Sequence, residues 1–214
     1  MVKKVQRSGK GGNIMERQTN MFYQILSIFT SFFLLNLMWL IVCLPIITIF
    51  PATSALFGTV RRWTKDGFDV GILRVFIQQF KENFKKSFII GIFWLAAFVI
   101  LYMDVYIVLQ NEFIGRGIVI ALVLLLVLLF AFTTVYVFFV LVNYELTIIH
   151  TLKNALFLAI SHLNYTVIFI GMILIGLIIT YYFTFFLLIF GSVLAFSMYN
   201  IFHSRIQLKL EQVN

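Results

Sequence analysis

The sequence has little of what soluble enzymes are built from. Only 11% of its residues are charged, two are proline, and Cys43 is its one cysteine. Soluble domains carry about a quarter charged residues, so this scarcity argues against a soluble globular domain. A lone cysteine excludes an intramolecular disulfide, and because Cys43 lies in an apolar run, we expect it to pack as a small apolar side chain.

Motifs that carry chemistry are also missing. There is no glycine-rich phosphate loop, no nucleophile elbow and no cysteine pair. Glu145 and His150 are five positions apart, a poor spacing for one helical face. The sequence therefore predicts no enzyme, no cofactor and no metal site.

Long hydrophobic runs take the place of these features. Hydrophobic residues make up 62% of the chain, and no charged residue occurs within 18–60, 117–144 or 154–204. Since about 20 apolar residues cross a bilayer as a helix, and backbone groups in lipid must bond to one another, the lipid bilayer is the expected solvent. The predicted fold class is all-α, a polytopic transmembrane helical bundle.

The first run is expected to be broken by proline. It reads as a helix from about Thr19 to Leu44, a break over Pro45–Pro51, and a short helix over Ala52–Trp63. The short limb is either a full span or a re-entrant piece. The bundle is thus predicted to have five to six membrane helices, one of them broken by proline.

Two amphipathic interfacial helices are predicted beside these spans. In 70–86 the apolar residues share one helical face and the basic residues lie largely elsewhere, which suits a membrane surface or a helix packed on the protein's own spans. Residues 152–163 form the second. The remaining predicted spans are 87–109, 117–142 and a hairpin over 165–202 that turns between Tyr181 and Gly191.

The chain is divided into a basic, disordered tail (1–17), a single transmembrane domain (18–205) and a short cytoplasmic tail (206–214). Basic residues are abundant in 61–86, whereas 110–116 has only Arg116. By the positive-inside rule, 61–86 and the C-terminus are cytoplasmic. Six helices or re-entrant pieces with both ends inside is the favoured topology, and five spans with an outside N-terminus is the alternative.

The formal charge of +8 does not predict nucleic-acid binding. The basic residues flank membrane segments, and no nucleic-acid-binding module is recognisable. Retention of these segments on the cytoplasmic side explains the charge.

A few polar residues stand out within or near the spans. Asn36 lies mid-span and is expected to bond to a neighbouring helix or to backbone freed by the proline break, as an anchor or as part of a cavity. Thr48 and Thr53 are placed to satisfy freed backbone groups. Asp104, near the outer end of its span, either belongs to an ion or proton path or ends a helix at the headgroups.

One stretch carries a family resemblance. It contains Asn36 and Trp39 in the first span, a Pro-x-x-Thr-x-x-Pro-Ala-Thr break over 45–53, and a short helix ending at Arg61. With Asn83 and Asp104, this pattern resembles the YesL-like family of bacterial membrane proteins, a domain of unknown function. The resemblance extends from about Met15 to Arg205, and it marks Asn36, Pro45, Thr48, Pro51, Thr53, Arg61, Asn83 and Asp104 as candidate structural or functional residues.

Members of this family are commonly encoded beside carbohydrate uptake and degradation genes. The resemblance therefore implies a biological setting, but it implies no mechanism. Two functions follow as expectations: an accessory or regulatory component that works with a carbohydrate transporter subunit in the bacterial plasma membrane, or a small transporter or channel. A membrane enzyme is a distant third. The sequence does not indicate the oligomeric state.

Overall fold

A computed structural model describes residues 9–68, 71–112 and 114–208, with the side chains of Met21 and of most residues from Tyr23 onward. Within these residues the chain is helical and forms seven α-helices. They are α1 (Gly9–Cys43), α2 (Ile49–Asp66), α3 (Ile72–Gln110), α4 (Arg116–Asn143), α5 (Ile148–Ser161), α6 (Leu163–Tyr182) and α7 (Leu187–Phe202).

Five helical segments in the described part of the chain are long and apolar enough to cross a membrane. They are Tyr23–Cys43, Ile72–Gln110, Arg116–Asn143, Leu163–Tyr182 and Thr184–Gln207. This confirms the predicted all-α class and the membrane-like character of the chain. Helix α2 is shorter and ends in charged residues, and it is the limb that follows the proline break.

The break is shorter than the sequence predicts. It runs from Leu44 to Thr48 and contains one 3-10 turn, Ile46–Thr48. Pro51 lies inside the first turn of α2, where its missing N–H would have no helical partner in any case. The prediction that Pro51 interrupts the helix is therefore wrong, and Pro45 alone follows the end of α1.

The first amphipathic helix and the following span form one helix. Helix α3 runs from Ile72 to Gln110 without interruption, so the predicted boundary at residue 87 is wrong. No glycine or proline lies between 72 and 90, and a break there would leave backbone groups without helical partners. The second amphipathic segment is separate, as predicted, because α5 ends at Ser161.

The predicted tails are partly structured. Residues 9–17, predicted to be disordered, are the first turns of α1, since a nucleated helix gains one hydrogen bond for each residue it adds. Residues 1–8 of that tail lie outside the described residues. Ile206 and Gln207, predicted to belong to the cytoplasmic tail, are buried at the end of a π-helical turn, His203–Gln207.

Neighbouring helices in the first half run antiparallel. Trp39 of α1 contacts Thr53 of α2, and Phe32 contacts Trp63. Helix α3 returns along α2 after the Gly67 turn (φ 84°). Gly58 and Phe50 of α2 then lie against Gln79 and Gly91 of α3.

Aromatic side chains of α4, α6 and α7 form the core of the second half. Phe139 of α4 stacks on Phe202 of α7 at 4.5 Å and contacts Phe169 of α6 at 5.5 Å, between ring centroids. All three side chains are fully buried. The hairpin between α6 and α7 turns at Phe183–Phe186, within the predicted interval.

Candidate functional site

The proline break is closed by side-chain hydroxyls. The Oγ1 of Thr48 lies within hydrogen-bond distance of the carbonyls of Val42 (2.5 Å) and Pro45 (2.7 Å). The Oγ1 of Thr53 donates to the Ile49 carbonyl at 2.8 Å and accepts from the indole N–H of Trp39 at 3.2 Å. These bonds satisfy polar groups at the turn and hold α1 to α2.

Asn36 joins α1 to α7. Its side chain is fully buried, its Nδ2 donates to the carbonyl of Leu187 at 2.8 Å, and its Oδ1 accepts from the backbone N–H of Ser192 at 3.1 Å. Ser192 in turn donates from Oγ to the Phe32 carbonyl at 2.8 Å. Of the two partners considered for Asn36, a neighbouring helix is therefore correct. The prediction that Asn36 anchors the break itself is wrong, because both atoms of its amide bond to α7.

Arg61 and Asn83, which are 22 positions apart in sequence, lie together at a polar cavity of about 640 Å³. Helix α2 contributes Arg61, and α3 contributes Gln79, Glu82, Asn83 and Lys86. These four positions of α3 follow helical spacing and so share one face. The end of α4 and the connection to α5 complete the wall with residues 141–147, including Asn143, Glu145 and Thr147.

Glutamine amides hydrogen-bond to one of the two acidic side chains that line this cavity. The carboxylate of Glu82 accepts from Gln78 Nε2 at 2.7 Å and from Gln79 Nε2 at 2.9 Å. Gln79 is buried, and its side chain packs directly over Gly58, which leaves no room for a side chain on α2 at that position. The contact brings α2 and α3 close together and fixes the floor of the cavity.

The charges of the cavity are only loosely paired. Ion pairs within 4 Å among the described residues are Arg62–Asp66 and Arg116–Glu112, and both lie elsewhere. Glu145 attracts Lys86 without such a contact. The Nε of Arg61 is buried and has no hydrogen-bond partner in the described structure.

Asp104 is remote from this cavity. It lies 18 residues beyond Lys86 on α3, about 27 Å along the helix axis, and is partly buried. The structure therefore divides the predicted polar residues into three places: the break with Asn36, the cavity with Arg61 and Asn83, and Asp104 alone.

Sequence reasoning missed most of the cavity. Gln79, Glu82, Lys86 and Asn143 were not among the candidate residues, although the spacing 79–82–83–86 gave a signal on α3. An almost entirely apolar cavity of about 460 Å³ was missed as well. It lies between the break and α3, is lined by Phe50, Gly91, Trp94 and Phe130 among others, and offers very little polar surface to a ligand.

Comparison with known proteins finds a family match in the first half of the chain. Residues 32–105 match the family model described as "Protein of unknown function, DUF624". The resemblance to the YesL-like family is confirmed. The matched region includes all eight candidate residues, from Asn36 to Asp104, so the proline break and the α2–α3 side of the cavity lie within it.

Two curated relatives extend the comparison beyond the family match. The chain is 28% identical to the uncharacterized protein YesL of Bacillus subtilis (strain 168) over 165 residues, or 75% of this chain and 78% of YesL. It is 31% identical to the uncharacterized protein YteU of the same strain over 134 residues, or 61% of this chain and 60% of YteU. The chain thus covers less than two thirds of YteU. No solved structure matches the chain.

Proposed function

We propose that this chain is an accessory or regulatory component of a carbohydrate uptake system in the bacterial plasma membrane. The observation that carries the proposal is the distribution of its polar groups. Several of them gather in a cavity at one end of the bundle, whereas Asn36, Trp94 and Thr134 along the spans are bonded to the protein itself.

A transport path would need polar groups free to replace the water around a sugar. Both amide atoms of Asn36 are bonded to α7, and the indole of Trp94 donates to Thr134 at 2.8 Å. Each sugar hydroxyl left unpaired in an apolar site costs about 1–3 kcal/mol. This arrangement favours the accessory function over a small transporter or channel.

The antiparallel packing supports a topology with both ends inside. In this proposal α1 runs outward, α2 returns as a re-entrant limb, and α3 crosses outward to the 111–115 loop. Helix α4 then returns, and α6 and α7 form the last hairpin. The basic residues of 61–86 and the C-terminus face the cytoplasm, as the positive-inside rule requires.

The surface proposed to dock a transporter subunit is the exposed face of α3 before its span. Arg74, Lys81 and Lys85 are exposed there, beside the half-exposed Ile77 and Phe84. A face that combines cations with apolar side chains suits a protein partner at the membrane surface. Carbohydrate utilisation enters by association, from the genes that commonly neighbour members of the resembled family.

Reconstitution tests the accessory function directly. Purified protein alone in liposomes should not accumulate a labelled oligosaccharide above the level of empty liposomes. A sugar transporter of known activity, reconstituted in parallel, controls for vesicle integrity. Uptake by the protein alone would overturn the proposal in favour of a transporter.

Gene deletion tests the setting and the docking face. Loss of the gene should slow growth on a particular oligosaccharide and leave growth on simple sugars unchanged. A variant with Arg74→Gln, Lys81→Gln and Lys85→Gln should fail to restore growth, while Glu112→Gln, at an exposed position at the other end of α3, should restore it. Full restoration by the triple variant would exclude this face as the docking surface.

A further inference from the structure

The wall of the polar cavity includes a cation that has no hydrogen-bond or ion-pair partner among the described residues. Arg61 lies on its wall with a buried Nε that no described residue bonds. A buried donor without a partner is unfavourable, and more so when it is charged. An anion bound in the cavity would lie beside this guanidinium and compensate its charge.

The nearby acids do not supply the missing acceptor. The Glu82 carboxylate is bonded to the amides of Gln78 and Gln79, and Glu145 attracts Lys86 from across the cavity. Neither acid lies within 4 Å of Arg61. The guanidinium is therefore the least compensated charge among the residues that line the cavity.

The remaining wall provides further hydrogen-bond donors. Asn83 uses one amide N–H for the Gln79 carbonyl at 3.1 Å, which leaves its second N–H for another acceptor. Lys86 carries three rotatable donors on the same face of α3. The guanidinium plane of an arginine matches the two oxygens of an oxyanion.

We propose that this cavity binds the phosphate or carboxylate group of a small anion, with Arg61 as its principal ligand and Asn83 and Lys86 as additional donors. The site goes beyond the proposed function, because it would exist whether the chain works with a partner or alone. At about 640 Å³ the cavity is large enough for an organic anion as well as for the oxyanion group itself.

Inorganic phosphate is the first probe. Binding to the folded state raises the melting temperature by mass action, so phosphate should stabilise the purified protein in neutral detergent when chloride keeps the ionic strength constant. Arg61→Gln should weaken phosphate binding at least tenfold. The matched control is Arg62→Gln, since Arg62 is exposed, lies outside the cavity and pairs with Asp66, and it should change binding less than twofold.

Two further variants test whether phosphate binding follows the charge of the cavity wall. Arg61→Lys should retain part of the affinity because it keeps the charge, and Asn83→Asp should abolish binding because it adds an anion to the wall. An equal response of wild type and Arg61→Gln would overturn the proposal, as would the absence of any response in wild type.

A comparison of two lipid compositions identifies the source of the oxyanion. The protein is compared in nanodiscs of phosphatidylcholine alone and in nanodiscs with one third phosphatidylglycerol. If the anionic lipid suppresses the response to phosphate in an Arg61-dependent manner, a phospholipid headgroup occupies the site. If phosphate stabilises the protein equally in both, the ligand is a soluble anion. These binding experiments are independent of uptake and growth. A negative result for phosphate binding would therefore leave the proposed accessory function unaffected.

Discussion

At the scale of single residues, buried polar side chains that have hydrogen-bond partners within this protein hold its backbone and helices in place. Asn36 is the clearest example, because both ends of its amide bond to α7. Thr48 and Thr53 do the same for the break. Arg61, Ser54, Trp63, Arg116 and His162 each have a buried polar atom without a partner in the described structure. Of these five, Arg61 is the one that lines the polar cavity, which makes that cavity a candidate site.

Asn36→Leu should lower the stability of the protein. It removes the two hydrogen bonds by which Asn36 joins α1 to the Leu187 carbonyl and the Ser192 N–H of α7. We expect a loss of about 1–3 kcal/mol, measured as thermal unfolding in detergent by circular dichroism. Asn154→Leu, at an exposed position of α5, should leave unfolding unchanged. Unchanged melting of Asn36→Leu together with lost function would instead indicate a binding role.

At the scale of elements, the α2–α3 hairpin positions the cavity. Helix α2 is buried along most of its length between its neighbours. The helices approach closely because Gly58 has no side chain where the Gln79 chain crosses it. This contact brings Arg61 beside the polar face of α3.

Gly58→Ala should separate α2 from α3. A Cβ at position 58 would lie 3.0 Å from Gln79 Cγ and 3.1 Å from Gln79 Cβ, so the obstruction includes the root of the side chain, which cannot swing aside. Overpacking of this kind costs about 1–3 kcal/mol, seen as a lower melting temperature.

Gly171→Ala provides the control, because nothing lies within 4 Å of its added methyl on α6. It should melt at or above the wild-type temperature, since alanine has the higher helix propensity. Equal melting of the two variants would show that the α2–α3 contact adapts without cost.

At the scale of the whole molecule, α3 sets the distance between the polar cavity near its beginning and Asp104 near its end. Its 39 residues span about 58 Å, more than the roughly 30 Å core of a bilayer. Part of the helix must therefore extend beyond the hydrocarbon, and the charged first half is the part suited to do so. The same helix thus carries the cavity wall, a span and Asp104.

Cysteine labelling should place the end of α2 and the end of α3 on opposite sides of the membrane. In a Cys43→Ala background, which removes the one native cysteine, Lys65→Cys should react with an impermeant thiol reagent only after the cells are opened. Glu112→Cys should react in intact cells, because that position is highly exposed beyond α3. Reaction of position 65 from outside would contradict the proposed topology.

The sequence by itself determined the class of this protein and most of its helices. Runs of apolar residues longer than a bilayer crossing admit few structures other than helices, and the turn near Phe183 and the separate helix α5 followed from the same pattern. The pattern did not reveal that α3 is continuous, since an amphipathic segment has the same periodicity whether the helix bends at its end or runs on.

Only the tertiary structure decided which polar residues meet. Arg61, Gln79, Asn83 and Asn143 lie on three helices and are brought to one cavity by the packing of Gly58 on Gln79 and of α3 on α4. Likewise, Asn36 could bond to the break or to a neighbouring helix until the position of α7 was known. Local periodicity fixes which face of a helix a side chain occupies, whereas its partner depends on contacts between helices that are distant in the chain.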